Sequence, residues 1–380
     1  MQKFFSVLAL GFTISFSGSS TASAVRSDMP AGGADLSVLG YGIKDTAAIQ
    51  SNWENLQGHN NMLKYVMPSP DQGGAGSCLY MALTGIAEWH LAKKNPRLAI
   101  RGDGALDLSE RALMNLAGLQ EENNGVENWK TDSILLFNQN DRGILNRDLR
   151  YTKGFHKYDD NLRRYVRANE GDANAEYGQS FNWINGVTRE TRRGVVMPKF
   201  QRHVIFADPA SNQWNVAVAP SNIAEQIKDR LDRYNAPVLL IYNHYGYWHA
   251  VGVYGYDEEA ETDCSFVENN VKYFDARSKE LYEEASRISD PARKKSKLAL
   301  ADKLRETGIK VDRDYHQAGG CNRRGVFYVR DSIYSDPSEA MYDFDLSRTG
   351  DEEHYSKRII LRSESFMRHM VNHVVQITAD

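Results

Sequence analysis

The chain has 380 residues, 41% hydrophobic and 25% charged, which is enough apolar material for a sizeable core and excludes disorder as the main theme. Lys plus Arg number 46 against 50 Asp plus Glu, a formal charge of -4 without the basic excess that nucleic acid or an anionic membrane surface would require. Three cysteines, Cys78, Cys264 and Cys321, are too few for a disulfide-stapled scaffold and lack the C-x-x-C spacing of a zinc site.

The N-terminus opens with Lys3, continues through a short apolar run and reaches Ala22-Ser23-Ala24, the pattern of an export signal cleaved after Ala24. Cleavage removes Lys3 alone among the charged groups, and no later segment approaches the roughly 18 apolar residues of a membrane span. The product is therefore expected in a periplasm or outside the cell. The lack of any N-x-S/T sequon among many Asn leans toward bacterial export. Residues 25–60 read as an N-terminal arm or short pro-segment, and 61–380 as the main domain.

A helix is predicted over 77–95, where Leu79, Ala82, Leu83, Ile86 and Ala87 recur at helical spacing, Lys93 and Lys94 suit the last turn and Asn95-Pro96 stops it. It follows a Gly-rich turn, Gly73-Gly74-Ala75-Gly76. A second helix starts at the cap Ser109 and carries Leu113 and Leu116, and a third covers about 130–139. Residues 152–220 show no clear period and read as loops and short strands. A capped amphipathic helix begins at Ser221, with Ile223, Ile227 and Leu231 four apart. Strands follow over 238–242, 248–256, 325–330 and 358–361, an antiparallel sheet interrupted by a charged stretch at about 257–323. That stretch reads as a solvated helical hairpin, 276–289 and 291–307, joined at Asp290-Pro291.

Cys78 stands at the first turn of its helix, where unpaired N-H groups and the positive end of the macrodipole favour a thiolate. A Gly-rich approach to an exposed helix start is a poor place for core packing, so a nucleophile is the preferred reading. A thiolate needs a base, and ten His offer many choices. His249 stands out because it opens a strand, Trp248-His249-Ala250-Val251-Gly252, whose small residues let another segment approach. His244 lies close in sequence and reads as a turn residue. His369 and His373 have a spacing that would put both on one helix face for a metal, but no H-E-x-x-H accompanies them. No metal and no cofactor is expected.

Asp71-Gln72-Gly73-Gly74-Ala75-Gly76-Ser77-Cys78, Leu108-Ser109-Glu110, Asn124-Gly125 with Gly143-Ile144 and Tyr151, the His249-Ala250-Val251 strand and Val329-Arg330-Asp331-Ser332 occur in the order of five motifs. Together they resemble the papain-like cysteine peptidases. The resemblance covers roughly 65–151, 221–257 and 324–334. It implies an α+β, two-lobed papain-like fold, with a helical N-terminal lobe and an antiparallel β-sheet C-terminal lobe. Its catalytic set would be Cys78 as nucleophile, His249 as base and later acid, Asp331 as orienter of the imidazole and Gln72 as oxyanion-hole donor. Gly125 and Trp248 would contact a peptide or protein substrate.

Departures accompany the matches. Asp331 stands where the family has Asn, Ala75 replaces a structural Cys, Leu79 and Ile333 replace Trp, and Gly125-Val126 replaces a glycine pair. The expected activity is therefore an exported cysteine peptidase acting through a thioester, with two alternatives open. One is a catalytically weak peptide-binding protein on the same fold, and the other is a thiol amidase, deamidase or transpeptidase. Cys264 and Cys321 bracket the charged insertion on two strands expected to pair, so they are predicted to form a disulfide at its base. Cys78 is then the free thiol.

Overall fold

The computed structural model describes residues 62–63, 65–67, 72, 77–95, 106–117, 131–139, 142–143, 155–159, 164–167, 176–177, 195–208, 216, 218–332 and 359–380. The export signal, the 25–60 arm, the turn at 73–76, Gly125, Tyr151 and Ile333 lie outside these residues.

Helix α1, Cys78–Lys94, is the predicted 77–95 helix. It is buried without interruption from Cys78 to Ala92, including the polar Thr84, Glu88 and His90, so the apolar spacing identified only part of its contact surface. All-round burial is the signature of a helix running through a core. The Trp89 indole donates to the Met62 carbonyl at 2.7 Å, and the His90 ring lies 3.2 Å from the Ile377 carbonyl. Burial lowers the His90 pKa to about 4, so this histidine is neutral at pH 7.

Helix α2, Glu110–Leu116, is capped as expected, Ser109 Oγ accepting the Ala112 N-H at 3.0 Å. The third predicted helix is instead a 3-10 turn, Thr131–Leu135, running into the short α3, Leu136–Gln139. The aperiodic segment holds short strands β1 (Arg142–Gly143), β2 (Phe155–Asp159), β3 (Arg164–Arg167), β4 (Glu176–Tyr177) and β5 (Val195–Val196), which form a two-stranded and a three-stranded sheet. It also holds an eight-residue strand that was not foreseen, β6, Phe200–Ala207.

Helix α4, Ile223–Tyr234, starts after Asn222 rather than Ser221 and ends at Asn235, whose φ of 43° supplies the left-handed stop. Then come β7 (Val238–His244), β8 (Tyr247–Glu261), β9 (Arg324–Arg330) and β10 (Ile359–Ser363), the four strands expected. Helix α7, Glu364–Met370, leads to β11, Val371–Ala379, which sequence patterning missed. The main sheet is antiparallel with the order β10-β9-β8-β7-β11-β6. Seven α-helices among the described residues and this sheet make an α+β fold. None of the described helices is long and apolar enough to cross a membrane.

Because α7 ends at Met370, His369 and His373 do not share a helix. The His369 ring meets Tyr315 at 5.5 Å, whereas His373, on β11, meets Trp248 at 5.3 Å. The pair whose spacing would have suited one helix face is thus split between two elements.

The charged stretch folds as α5, Ser265–Ser286, and α6, Pro291–Gln317. Asp290 caps α6 by accepting the Arg293 N-H at 2.7 Å, as its Asp-Pro start predicts. Both helices are longer than expected, and the solvated reading needs correction: Phe266, Val267, Phe274, Leu281, Leu304, Val311 and Tyr315 are all buried. Cys264 and Cys321 form the predicted disulfide at its base, 57 residues apart in sequence. Closing a loop of that length restrains the unfolded chain, so reduction or the Cys264→Ser/Cys321→Ser pair is expected to lower stability by about 4 kcal/mol. Urea unfolding with and without dithiothreitol measures the loss; an unchanged midpoint would show that the hairpin holds its base unaided.

Candidate active site

Four separate segments bring together the residues picked out in the sequence. Cys78 is the first residue of α1, His249 lies near the start of β8, Asp331 directly follows β9, and Gln72 precedes α1 in the chain. His249 Nε2 and Asp331 Oδ1 are 2.7 Å apart, with both side chains almost wholly buried. That bond occupies Nε2 and leaves Nδ1 as the nitrogen that faces Cys78, with which the imidazole also hydrogen-bonds. Burial opposes a charge on His249, but the Asp331 carboxylate, its hydrogen bond and the contact with Cys78 outweigh burial and raise the pKa to about 10. The ring therefore carries a proton at neutral pH.

Cys78 itself is buried, only 5% exposed, which corrects the expectation of an exposed helix start. It is the free thiol once Cys264 and Cys321 are paired. Gln72 is tied down at both backbone and side chain: its N-H donates to the Ser332 carbonyl at 3.0 Å, and its Oε1 accepts from Ser332 Oγ at 2.6 Å. The amide oxygen is thereby oriented toward Ser332 and the NH2 branch is turned the other way. Since Ser332 follows Asp331, one short segment after β9 orients both the imidazole partner and the amide.

The β7-β8 turn sets where β8 begins. Tyr245 and Gly246 have φ of 50° and 86°, the two positive values of a tight hairpin turn, and tyrosine is an uncommon residue there. Asn270 of α5 supports it, its Oδ1 accepting the Tyr245 N-H at 2.9 Å and its Nδ2 donating to the Asn243 carbonyl at 2.9 Å. The insertion, read from sequence as a solvated hairpin, thus holds the turn three residues before His249. Asn269 and Asn270 lie near His249 in sequence but are set aside as its partner because they fall in the insertion. The turn-supporting role of Asn270 is not legible there, since the contact crosses from a charged helix to a strand end.

His244 closes β7 and is buried, with its ring centroid 5.4 Å from that of His249 and its Nδ1 3.3 Å from the Tyr242 hydroxyl. Burial and the neighbouring His249 charge push its pKa well below the usual range, so the two imidazoles hold different protonation states. Trp248 lies next to His249 but packs edge-on against His373 and is only 9% exposed.

Behind the site, Glu88, Asp107 and Glu110 each bring a carboxylate oxygen within 4.8 Å of the others, a donor set that could in principle hold a cation. Arg330 already supplies positive charge there, 3.5 Å from Glu88 Oε2. Burial and the Asp107 charge raise the Glu110 pKa to about 8, so a proton compensates the excess of acid at neutral pH. Comparison with protein families, with curated proteins and with solved structures finds no match to this chain.

Proposed function

We propose that the protein is a cysteine peptidase of the papain-like type, exported by the segment ending at Ala24 and built as two lobes with Cys78 and His249 facing across a cleft. The observation that carries this reading is the convergence of Cys78, His249 and Asp331 from three distant segments into one hydrogen-bonded chain. An imidazolium held beside a thiol is the partner that a thiolate nucleophile requires. The five sequence motifs add support in the same order.

In the proposed reaction Cys78 Sγ attacks a carbonyl carbon, forming a C–S bond as the carbonyl electrons move to oxygen. The Gln72 NH2 and the Cys78 backbone N-H receive that oxyanion, a donor of this kind contributing about 3 kcal/mol. His249 passes its proton to the leaving amine as the C–N bond breaks, which leaves a thioester. Water then attacks the thioester carbon, giving its proton to His249 as the C–S bond breaks, which releases the acid and restores the thiolate beside the imidazolium. Another acceptor in place of water would make the same machinery a transferase.

Treatment of the folded protein with a thiol-directed peptide epoxide, followed by mass spectrometry, is expected to give a single adduct on Cys78. A broad peptide mixture should be cleaved at neutral pH, with added amines reporting any transfer. A protein that is neither labelled at Cys78 nor able to cleave the mixture would end the peptidase reading.

A further inference from the structure

Arg330 directly precedes Asp331, and its side chain is buried. Consecutive residues of extended backbone point to opposite sides, so while Asp331 takes His249, Arg330 reaches the other way toward α1. Its guanidinium has three partners in different parts of the site. Nε donates to the Met67 carbonyl at 3.0 Å, five residues before Gln72. Nη1 donates to the Met81 carbonyl at 3.1 Å, in the first turn after Cys78. Nη2 lies 3.5 Å from Glu88 Oε2, deeper in the same helix.

Gly85 explains how the guanidinium comes so close. A Cβ there would lie 1.9 Å from Arg330 Nη1 and 2.6 Å from its Cζ, so a side chain at this position and the guanidinium exclude each other. Glycine in the middle of a buried helix is locally unfavourable, and here the space it leaves is filled by the guanidinium. Glu88 is fixed in turn, its Oε1 accepting the Leu108 N-H at 2.7 Å. Glu110, Asp107 and the Tyr254 hydroxyl are the other titratable groups that feel this charge.

We infer that Arg330 is a positioning residue: its planar fork ties the segment leading to Gln72, the helix that starts at Cys78 and the strand that ends at Asp331 into one geometry. It does not touch reacting atoms. Lysine, a single point charge on a flexible stem, cannot reproduce two hydrogen bonds and an ion-pair contact in a fixed fork. The inference rests on the proposed thiol chemistry.

The test is the rate of Cys78 alkylation by iodoacetamide as a function of pH in the wild type, Arg330→Met, Arg330→Lys and Gly85→Ala, each first checked for folding by circular dichroism and melting. The wild type is expected to react on a plateau that extends to mildly acidic pH, the mark of a thiolate held by an imidazolium. Arg330→Met should lower that plateau by roughly 10- to 100-fold, the usual penalty for misplacement of about 1 Å. Its rate above pH 9, where any accessible thiol ionises, should approach that of the wild type. Arg330→Lys should recover only part of the loss. Gly85→Ala should lower the plateau in the wild type but have little further effect beside Arg330→Met, because both remove the same contact. A folded Arg330→Met variant with an unchanged plateau, or additive effects of the two substitutions, would overturn the inference. Should Arg330→Met not fold, Arg330→Lys and Gly85→Ala read the same plateau, and wild-type rates in both would overturn it. A wild type without an acidic plateau defeats the thiol reading itself and this inference with it.

Discussion

Replacing Cys78 with alanine is expected to cut turnover of any acyl substrate by about 10⁴-fold or more while the protein stays folded. The thiol is the only group at the site able to form the thioester, and removing it leaves oxyanion donors and an imidazole with nothing to attack the carbonyl. The structural cost is small, since a buried Cys→Ala change deletes one atom from the end of α1, on the order of 1 kcal/mol. Rate and affinity should therefore separate. Peptide binding, followed by fluorescence anisotropy, should persist in the variant while product formation falls to background. Residual turnover near the wild-type rate would assign the chemistry elsewhere. Equal binding by both proteins with no turnover by either would favour the peptide-binding alternative.

The parts of this molecule that sequence reveals are those whose cause is local. The start of α1 at Cys78 follows from a glycine-rich run and a helical repeat, the Asp290 cap from an Asp-Pro step, and the Cys264–Cys321 disulfide from its place at the feet of two pairing strands. What escapes has its cause elsewhere in the chain. β11 is hard to read because its neighbours bury it on both sides, so it shows neither alternation nor an unbroken apolar run. Its Gln376 is inside the sheet, donating from Nε2 to the Ala236 and Pro237 carbonyls at 3.0 Å each. The same distance in sequence hides Asn270 beneath the β7-β8 turn and Arg330 against Gly85. Burial of Cys78 was equally illegible: helix position describes a residue's backbone surroundings, not what covers its side chain.

Asp331 is expected to govern two properties of His249 that its substitutions can separate, the proton affinity of the ring and its orientation. The folded pKa of about 10 lies above the ordinary 6.5 because the carboxylate charge and hydrogen bond overcome burial. The pair therefore stabilises the fold fully below about pH 6.5, and that stability disappears as pH rises through about 10. Asp331→Asn keeps an oxygen that can accept the imidazole N-H but removes the charge, so the His249 pKa should fall by roughly 1 to 3 units. The basic limb of the pH–rate profile should move down by the same amount, with kcat near pH 6 changing less than about 10-fold. Asp331→Ala removes acceptor and charge together. The buried imidazole then loses its acceptor and tends to neutralise, which costs roughly 1–3 kcal/mol of stability, and a ring without its orienter should lose about 10²- to 10⁴-fold in kcat. The melting temperature of Asp331→Asn should trail the wild type most below pH 6.5 and converge with it above pH 10. A gap that stays constant from pH 5 to 10.5 would mean that Asp331 does not hold the His249 proton. An Asn variant as inactive as the Ala variant would mean that the negative charge, and not the hydrogen bond alone, is needed for turnover.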